Sequence, residues 1–250
     1  MLRHRERPTR LSLTQLLPNA LTLAGLCAGM TAIRFAVLGQ YDRAVLLILL
    51  AAVLDGVDGR LARTLRSESA MGAELDSLCD FVNFGVTPAL VLHLWAQGGA
   101  GGFAWIAALL YASACALRLA RFNISSREAA AAPKPKKSFT GVPSPAGAML
   151  VLLPIFVALL IPGAGLHAAV CGLWMIAVAA LMVSRLPTPA IPSVRVRPDQ
   201  ARLILLGGLA LGAALLTYTW LTLVLLDTAY LLLLAWTWNR HRQSSPAKER

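Results

Sequence analysis

Asp55 and Asp58 stand three residues apart, and Asp76 and Asp80 four apart, in stretches otherwise dominated by apolar side chains. On a helix either spacing sets both carboxylates on one face. Acids inside a long apolar segment are costly and normally face a cavity or a partner, so these four are the residues to read for chemistry. If the two segments are antiparallel helices turning near residues 67–68, the constant helical rise puts Asp55 level with Asp80 and Asp58 level with Asp76. Four carboxylates at similar depth repel one another strongly unless cations neutralise them. All-oxygen donors suit hard divalent ions, Mg²⁺ or Mn²⁺, and this many ligands suits a pair of ions. Two other readings compete. The acids could form a buried polar network with Arg60 and Arg63, which sets two local arginines against four acids. They could also belong to a proton or cation pathway, which needs polar groups reaching the opposite face, where the sequence supplies few.

The elements that must hold these aspartates are transmembrane helices. Hydrophobic residues make up 57% of the 250 and charged residues 14%, and the mean hydropathy is +0.65. That is far more apolar than a soluble domain of this length. The pattern predicts an all-α, polytopic helix bundle of about eight spans. They fall near Pro18–Leu38, Ala44–Arg63, Ala73–Ala96, Phe103–Arg121, Pro145–Ile161, His167–Ser184, Ala201–Leu216 and Thr219–Trp238. The last two share one apolar run broken only around Thr217–Tyr218, so a hairpin and a single long or re-entrant element both remain open.

Charge sets the orientation. With both termini cytoplasmic, all 23 basic residues except Arg34 and Arg43 fall on the cytoplasmic side. This asymmetry accounts for the net charge of +11 without a nucleic-acid partner, and anionic inner-leaflet lipid is the expected secondary partner. Counting from Arg63 at the cytoplasmic end of its helix, Asp55 lies roughly 12 Å deeper, near the inner-leaflet headgroups. A cation site there is placed for a lipid phosphate whose acyl chains stay in the bilayer. Gly56, Gly59 and Ala62 leave the adjacent backbone open to a substrate or another helix.

Residues 1–17 read as a basic cytoplasmic tail retained with the first helix, 187–200 as a Pro-rich extended loop, 201–238 as a C-terminal transmembrane hairpin, and 239–250 as a second basic tail. A further cytoplasmic loop, Asn123–Gly141, carries Lys134, Lys136 and Lys137 and reads as solvated chain. Cys27, Cys79, Cys115 and Cys171 lie in apolar segments without a CxxC pair and read as small buried hydrophobes. Trp95, Trp105, Trp220 and Trp238, with His93 and Arg34, read as interfacial residues. Asp227, near the middle of the last span, has no partner identifiable from sequence.

The stretch from Asp55 to Asp80, DGVDGRLARTLRSESAMGAELDSLCD, resembles the signature of the CDP-alcohol phosphotransferase family, D-x2-D-G-x2-A-R-x8-G-x3-D-x3-D. Every specified position agrees: Asp55, Asp58, Gly59, Ala62, Arg63, Gly72, Asp76 and Asp80. The resemblance implies a six-helix catalytic core, here residues 18–186. It implies that Asp55, Asp58, Asp76 and Asp80 bind the divalent metals, that Asp80 is the general base, and that Asp55, Asp58, Gly59, Ala62, Arg63 and Gly72 hold the CDP moiety. It also implies a homodimer.

Three further stretches, LPNALTLAG from Leu17, ALRLARFN from Ala116 and FTGVPSPAGA from Phe139, resemble the branch of that family formed by bacterial membrane-spanning phosphatidylserine synthases. This implies transfer of the phosphatidyl group of CDP-diacylglycerol to L-serine in the bacterial cytoplasmic membrane, with the active site facing the cytoplasm. Arg118 and Arg121 then either recognise substrate phosphate or the serine carboxylate, or snorkel to headgroups. Thr140 and Gly141 either contact substrate or form the turn before Pro143. The rivals are another acceptor within the family, such as glycerol 3-phosphate, an inositol phosphate or choline, and outside it a membrane cation transporter.

Overall fold

The computed structural model describes residues 13–65, 69–96, 101–131, 139–184, 187–188 and 198–243. They form α1 (Leu13–Val37), α2 (Tyr41–Leu65), α3 (Ala70–Asp80), α4 (Thr87–Trp95), α5 (Gly101–Ala131), α6 (Ser144–Leu160), α7 (Ala168–Val183), α8 (Pro198–Thr217) and α9 (Thr219–Gln243). A π-helical stretch, Phe81–Val86, joins α3 to α4 without a break, so residues 70–95 make one continuous helix. Among the described residues, the departure from all-α structure is a pair of two-residue strands, β1 (Phe139–Thr140) and β2 (Pro187–Thr188), paired antiparallel.

α1 packs along α2, α5 along α7 and α6 against α9, with α4 and the π-helical stretch among α1, α5 and α6. The core between them is filled by fully buried Ile48, Phe84, Leu92, Tyr111, Leu150, Phe156 and Met175. Small residues such as Ala32, Ala44, Ala51 and Ala107 are also fully buried, which lets the helix axes approach closely. The outward surface is apolar as well, with Leu46, Leu50, Val53, Leu109, Leu110 and Leu173 exposed. Apolar residues spread around the outside this widely belong to a lipid-facing bundle.

Among the described residues, four helices are long and apolar enough to cross a bilayer: Leu16–Val37, Ala70–Trp95, Gly102–Ser126 and Thr219–Arg240. α6, α7 and Arg202–Thr217 are apolar but shorter. α2 matches them in length, yet its aspartates and arginines interrupt the apolar run in its second half.

Several boundaries differ from the sequence expectation. α5 continues ten residues past Arg121 to Ala131, through the first nine residues of the segment expected to be loop. Ala129–Ala131 are strong helix formers and Pro133 lies just beyond, so propensity carries the helix up to the proline rather than stopping it at the membrane surface. α8 begins at Pro198, inside the stretch expected to be extended, because proline is well tolerated in a first helical turn. Cys79, Cys115 and Cys171 are buried as expected, whereas Cys27 is exposed on α1. The expected N-terminal tail up to residue 12, Arg66, the lysines at 134, 136 and 137, most of the Pro-rich loop and the chain after 243 lie outside the described residues.

The run from α8 to α9 is two helices meeting at a sharp bend. Thr222 Oγ1 donates across Tyr218 to the Ala214 carbonyl at 3.1 Å, and to the Tyr218 carbonyl at 2.9 Å. Eight residues of straight helix would advance about 12 Å, so the first of these bonds requires the bend. Beyond it α8 leaves the bundle, with Leu203, Leu205, Leu206 and Leu209 all exposed.

Candidate active site

Asp55 and Asp58 lie in the second half of α2, and Asp76 and Asp80 in the second half of α3. Carboxylate oxygens of Asp55, Asp76 and Asp80 all lie within 4.8 Å of one another. The Asp55 and Asp80 side chains meet within hydrogen-bonding distance, as equal depth on a hairpin requires. Asp58 is arranged differently. It is 3% exposed and within electrostatic range of Asp55 and Asp76, but stands outside the three-residue group. Thr22 on α1 donates its hydroxyl to Asp58 Oδ2 at 2.6 Å, while Asp58 Oδ1 is buried without a hydrogen-bond partner among the described residues.

Local sequence explains how α3 is held. Ser69 caps the helix, its Oγ accepting from the Gly72 amide at 3.0 Å. A Cβ on Gly72 would lie 3.0 Å from Asn19 Oδ1 and 3.1 Å from Ser69 Oγ, so glycine there lets α1 close on the start of α3. Immediately after Asp80 the helix widens to the π form. Pro88 has no N–H to return to Phe84 four residues back, and the Phe84 carbonyl instead accepts the Tyr111 hydroxyl at 2.9 Å. On the opposite side Asn83 is buried against Gly29 of α1, where any Cβ would collide with its amide oxygen. The wide turn that follows Asp80 is thereby fixed from both α1 and α5.

The donor set fits hard divalent cations: every candidate ligand is a carboxylate, three converge, and the fourth keeps a buried oxygen unpaired. Among the described residues, a Cβ on Gly56 would meet no atom within 4 Å, and one on Gly59 would meet Arg63 Nη1 at 3.7 Å. Ala62 is half-buried, Arg63 is exposed on the same helix, and Arg63 is within electrostatic range of Asp76.

The arginines at the end of α5 part company. Arg118 is half-buried and turned into the bundle: its Nη1 donates to Ser144 Oγ at 2.8 Å, its guanidinium lies 5.8 Å from the Phe122 ring centroid, and it is within electrostatic range of Asp80. Arg121 is exposed and donates to the Val183 carbonyl at 3.0 Å, tying α5 to the end of α7. Gly141 adopts φ +83°, and a Cβ there would lie 2.6 Å from the Met182 carbonyl oxygen, so its glycine answers to the close passage of α7. Thr140 pairs through its backbone with Pro187, and its side chain lies outside the described residues. Asp227 is 6% exposed and its Oδ2 has no hydrogen-bond partner among the described residues.

Sequence reasoning missed Thr22, Asn19 and Ser144 as neighbours of the site. The signal available was a hydroxyl or amide inside or at the edge of an apolar run, a pattern that equally suits a helix bonding to its own backbone, as Thr22 also does with the Pro18 carbonyl at 3.0 Å.

Fold and site together define a helical membrane protein with a carboxylate centre, between α2 and α3, suited to divalent cations. Residues 15–186 match the family model described as CDP-alcohol phosphatidyltransferase, and the chain belongs to that family. A CDP-diacylglycerol–serine O-phosphatidyltransferase of Mycobacterium bovis is 43% identical over 209 residues, 80% of this chain and 70% of the relative. The protein of the same name from Mycobacterium leprae is 41% identical over 199 residues, 79% of this chain and 66% of the relative. That from Bacillus subtilis is 34% identical over 179 residues, 69% of this chain and 89% of the relative.

Proposed function

We infer that the protein transfers the phosphatidyl group of CDP-diacylglycerol to the hydroxyl of L-serine, giving phosphatidylserine and CMP. The observation that carries this reading is the convergence of Asp55, Asp76 and Asp80 within the family signature. The acceptor follows from the relatives, whose names specify serine.

Asp55, Asp58, Asp76 and Asp80 would hold a pair of divalent ions, Mg²⁺ or Mn²⁺. Bound there, such ions supply neutralisation of the pyrophosphate and polarisation of the phosphorus under attack. Asp80 takes the proton of the serine hydroxyl as its oxygen bonds to the phosphorus that carries diacylglycerol. The bond from that phosphorus to the bridging oxygen breaks, and CMP departs with that oxygen. Gly59, Ala62, Arg63 and Gly72 hold the CDP moiety, and Gly56 leaves the α2 backbone open beside it. Arg118 faces the acceptor, while Arg121, Thr140 and Gly141 maintain the cytoplasmic connections around it. In this reading about eight helices span a bacterial cytoplasmic membrane, with both termini and the active site on the cytoplasmic side, and two copies form a dimer.

Incubating purified protein with CDP-diacylglycerol, Mg²⁺ or Mn²⁺ and each of serine, glycerol 3-phosphate, an inositol phosphate and choline, with lipid products read by mass spectrometry, tests the assignment. Phosphatidylserine is the expected product. A product from another acceptor and none from serine would overturn the acceptor.

A further inference from the structure

The matched family segment ends at residue 186, yet α9 packs against α6 within the bundle. The packed face of α9 is marked by Leu223, Asp227 and Leu234, all buried, with Tyr230 half-buried on the same stripe. Tyr230 reaches a polar place. Its hydroxyl is buried with no hydrogen-bond partner among the described residues, and it lies within electrostatic range of Arg118. Arg118 in turn has one nitrogen held by the fully buried Ser144 hydroxyl and another, Nε, buried without a partner among the described residues. The same guanidinium is within electrostatic range of Asp80. Two donors unpaired among the described residues, one cationic on α5 and one phenolic on α9, thus lie within electrostatic range of each other, and the cationic one within range of Asp80.

A buried guanidinium N–H and a buried phenol O–H left unpaired are both destabilising, and an anionic oxygen pair relieves both at once. A carboxylate offers two such oxygens in a plane that matches the guanidinium. We propose that Tyr230, together with Arg118, forms the carboxylate-binding corner of the acceptor pocket and so selects an alcohol that carries a carboxylate beside its reacting hydroxyl. This rests on the serine-transfer reading above and extends it to a helix outside the matched segment. An acceptor without the carboxylate leaves both donors unpaired, which is the situation in which a polar site discriminates most strongly.

The test compares full-length wild type with Tyr230→Phe, using CDP-diacylglycerol, Mn²⁺, and either L-serine or L-serine methyl ester, which keeps the hydroxyl but lacks the carboxylate charge. Losing one hydrogen bond to a charged group lowers the serine-to-ester preference by about tenfold or more, chiefly through the KM for serine. The ratio is taken within one preparation, so it does not depend on the folded fraction, and a purely structural role for Tyr230 lowers both acceptors equally. A preference within twofold of wild type overturns the proposal. Failure of the serine reading itself is seen separately, as absence of phosphatidylserine from the wild type.

Discussion

Thr22 holds Asp58: the α1 hydroxyl donates to Asp58 Oδ2 at 2.6 Å, the length of a charge-assisted bond, across 36 positions of sequence. The bond leaves Oδ1 as the oxygen of Asp58 free to ligate, and it fixes the carboxylate plane before any cation arrives. Were Asp58 to hold a cation as proposed, α1 would serve that site although it contributes no acid.

Thr22→Val keeps the shape and removes the hydroxyl. Partners that orient a ligating carboxylate typically affect metal affinity by about 10- to 100-fold. The Mn²⁺ concentration giving half-maximal transfer should rise by that order, with Thr22→Ser restoring it. A Mn²⁺ titration of the transfer rate checks this, and superimposable curves would sink the orienting role.

Asp80→Asn removes the proposed base while keeping the volume. Transfer to serine should fall by about 10²- to 10⁴-fold, the usual contribution of a positioned acid or base, with the melting temperature no lower than wild type. Single-turnover kinetics with CDP-diacylglycerol read the chemical step directly. Near-normal turnover would remove Asp80 from the base role.

Gly56→Leu separates folding from substrate access. A Cβ at this exposed position meets no atom within 4 Å, and leucine is the better helix former, by about 0.8 kcal/mol. The variant should therefore melt at or above the wild-type temperature while its kcat/KM for CDP-diacylglycerol drops by about tenfold or more through obstruction of α2. Unchanged kcat/KM would mean that the nucleotide lipid lies elsewhere.

Cation binding should stabilise as well as activate. Converging carboxylates repel in the apo protein, and a ligand at about 100 times its Kd stabilises by about 2.7 kcal/mol, or about 5 °C for a chain of this size. Thermal unfolding in EDTA and in saturating Mn²⁺ should differ by that amount, and the double variant Asp55→Asn, Asp76→Asn should abolish the difference. Equal melting temperatures for wild type in both conditions would argue against a cation at this site.

The aspartates were legible because their information is local: spacings of three and four residues define a helix face, and a short loop forces the hairpin. Equal-depth reasoning brings Asp55 to Asp80 correctly, but it treats helices as rods and ignores rotation about their axes, which is what turns Asp58 towards Thr22. Hydropathy found the helices yet is blind to helix register, so the π-helical turn after Asp80 went unseen even though Pro88 carries a signal for it. The helix from Asn123 to Ala131 was hidden behind the nearby lysines and prolines, whose composition resembles solvated chain. Tyr230 is a different case. Its meaning depends on Arg118, more than a hundred residues earlier, and no short window of sequence contains both.

Chain order gives the aspartate centre a place in the protein's own biogenesis. Thr22, Asp55, Asp58, Asp76 and Asp80 lie on the first three helices, while Arg118, Ser144 and Tyr230 come from helices made afterwards. During synthesis and insertion, the four carboxylates and Arg63 are therefore made before Arg118 and Tyr230 are added. In the proposed reading the α1–α3 unit already carries every carboxylate that would hold a cation, and the acceptor side is added to it afterwards.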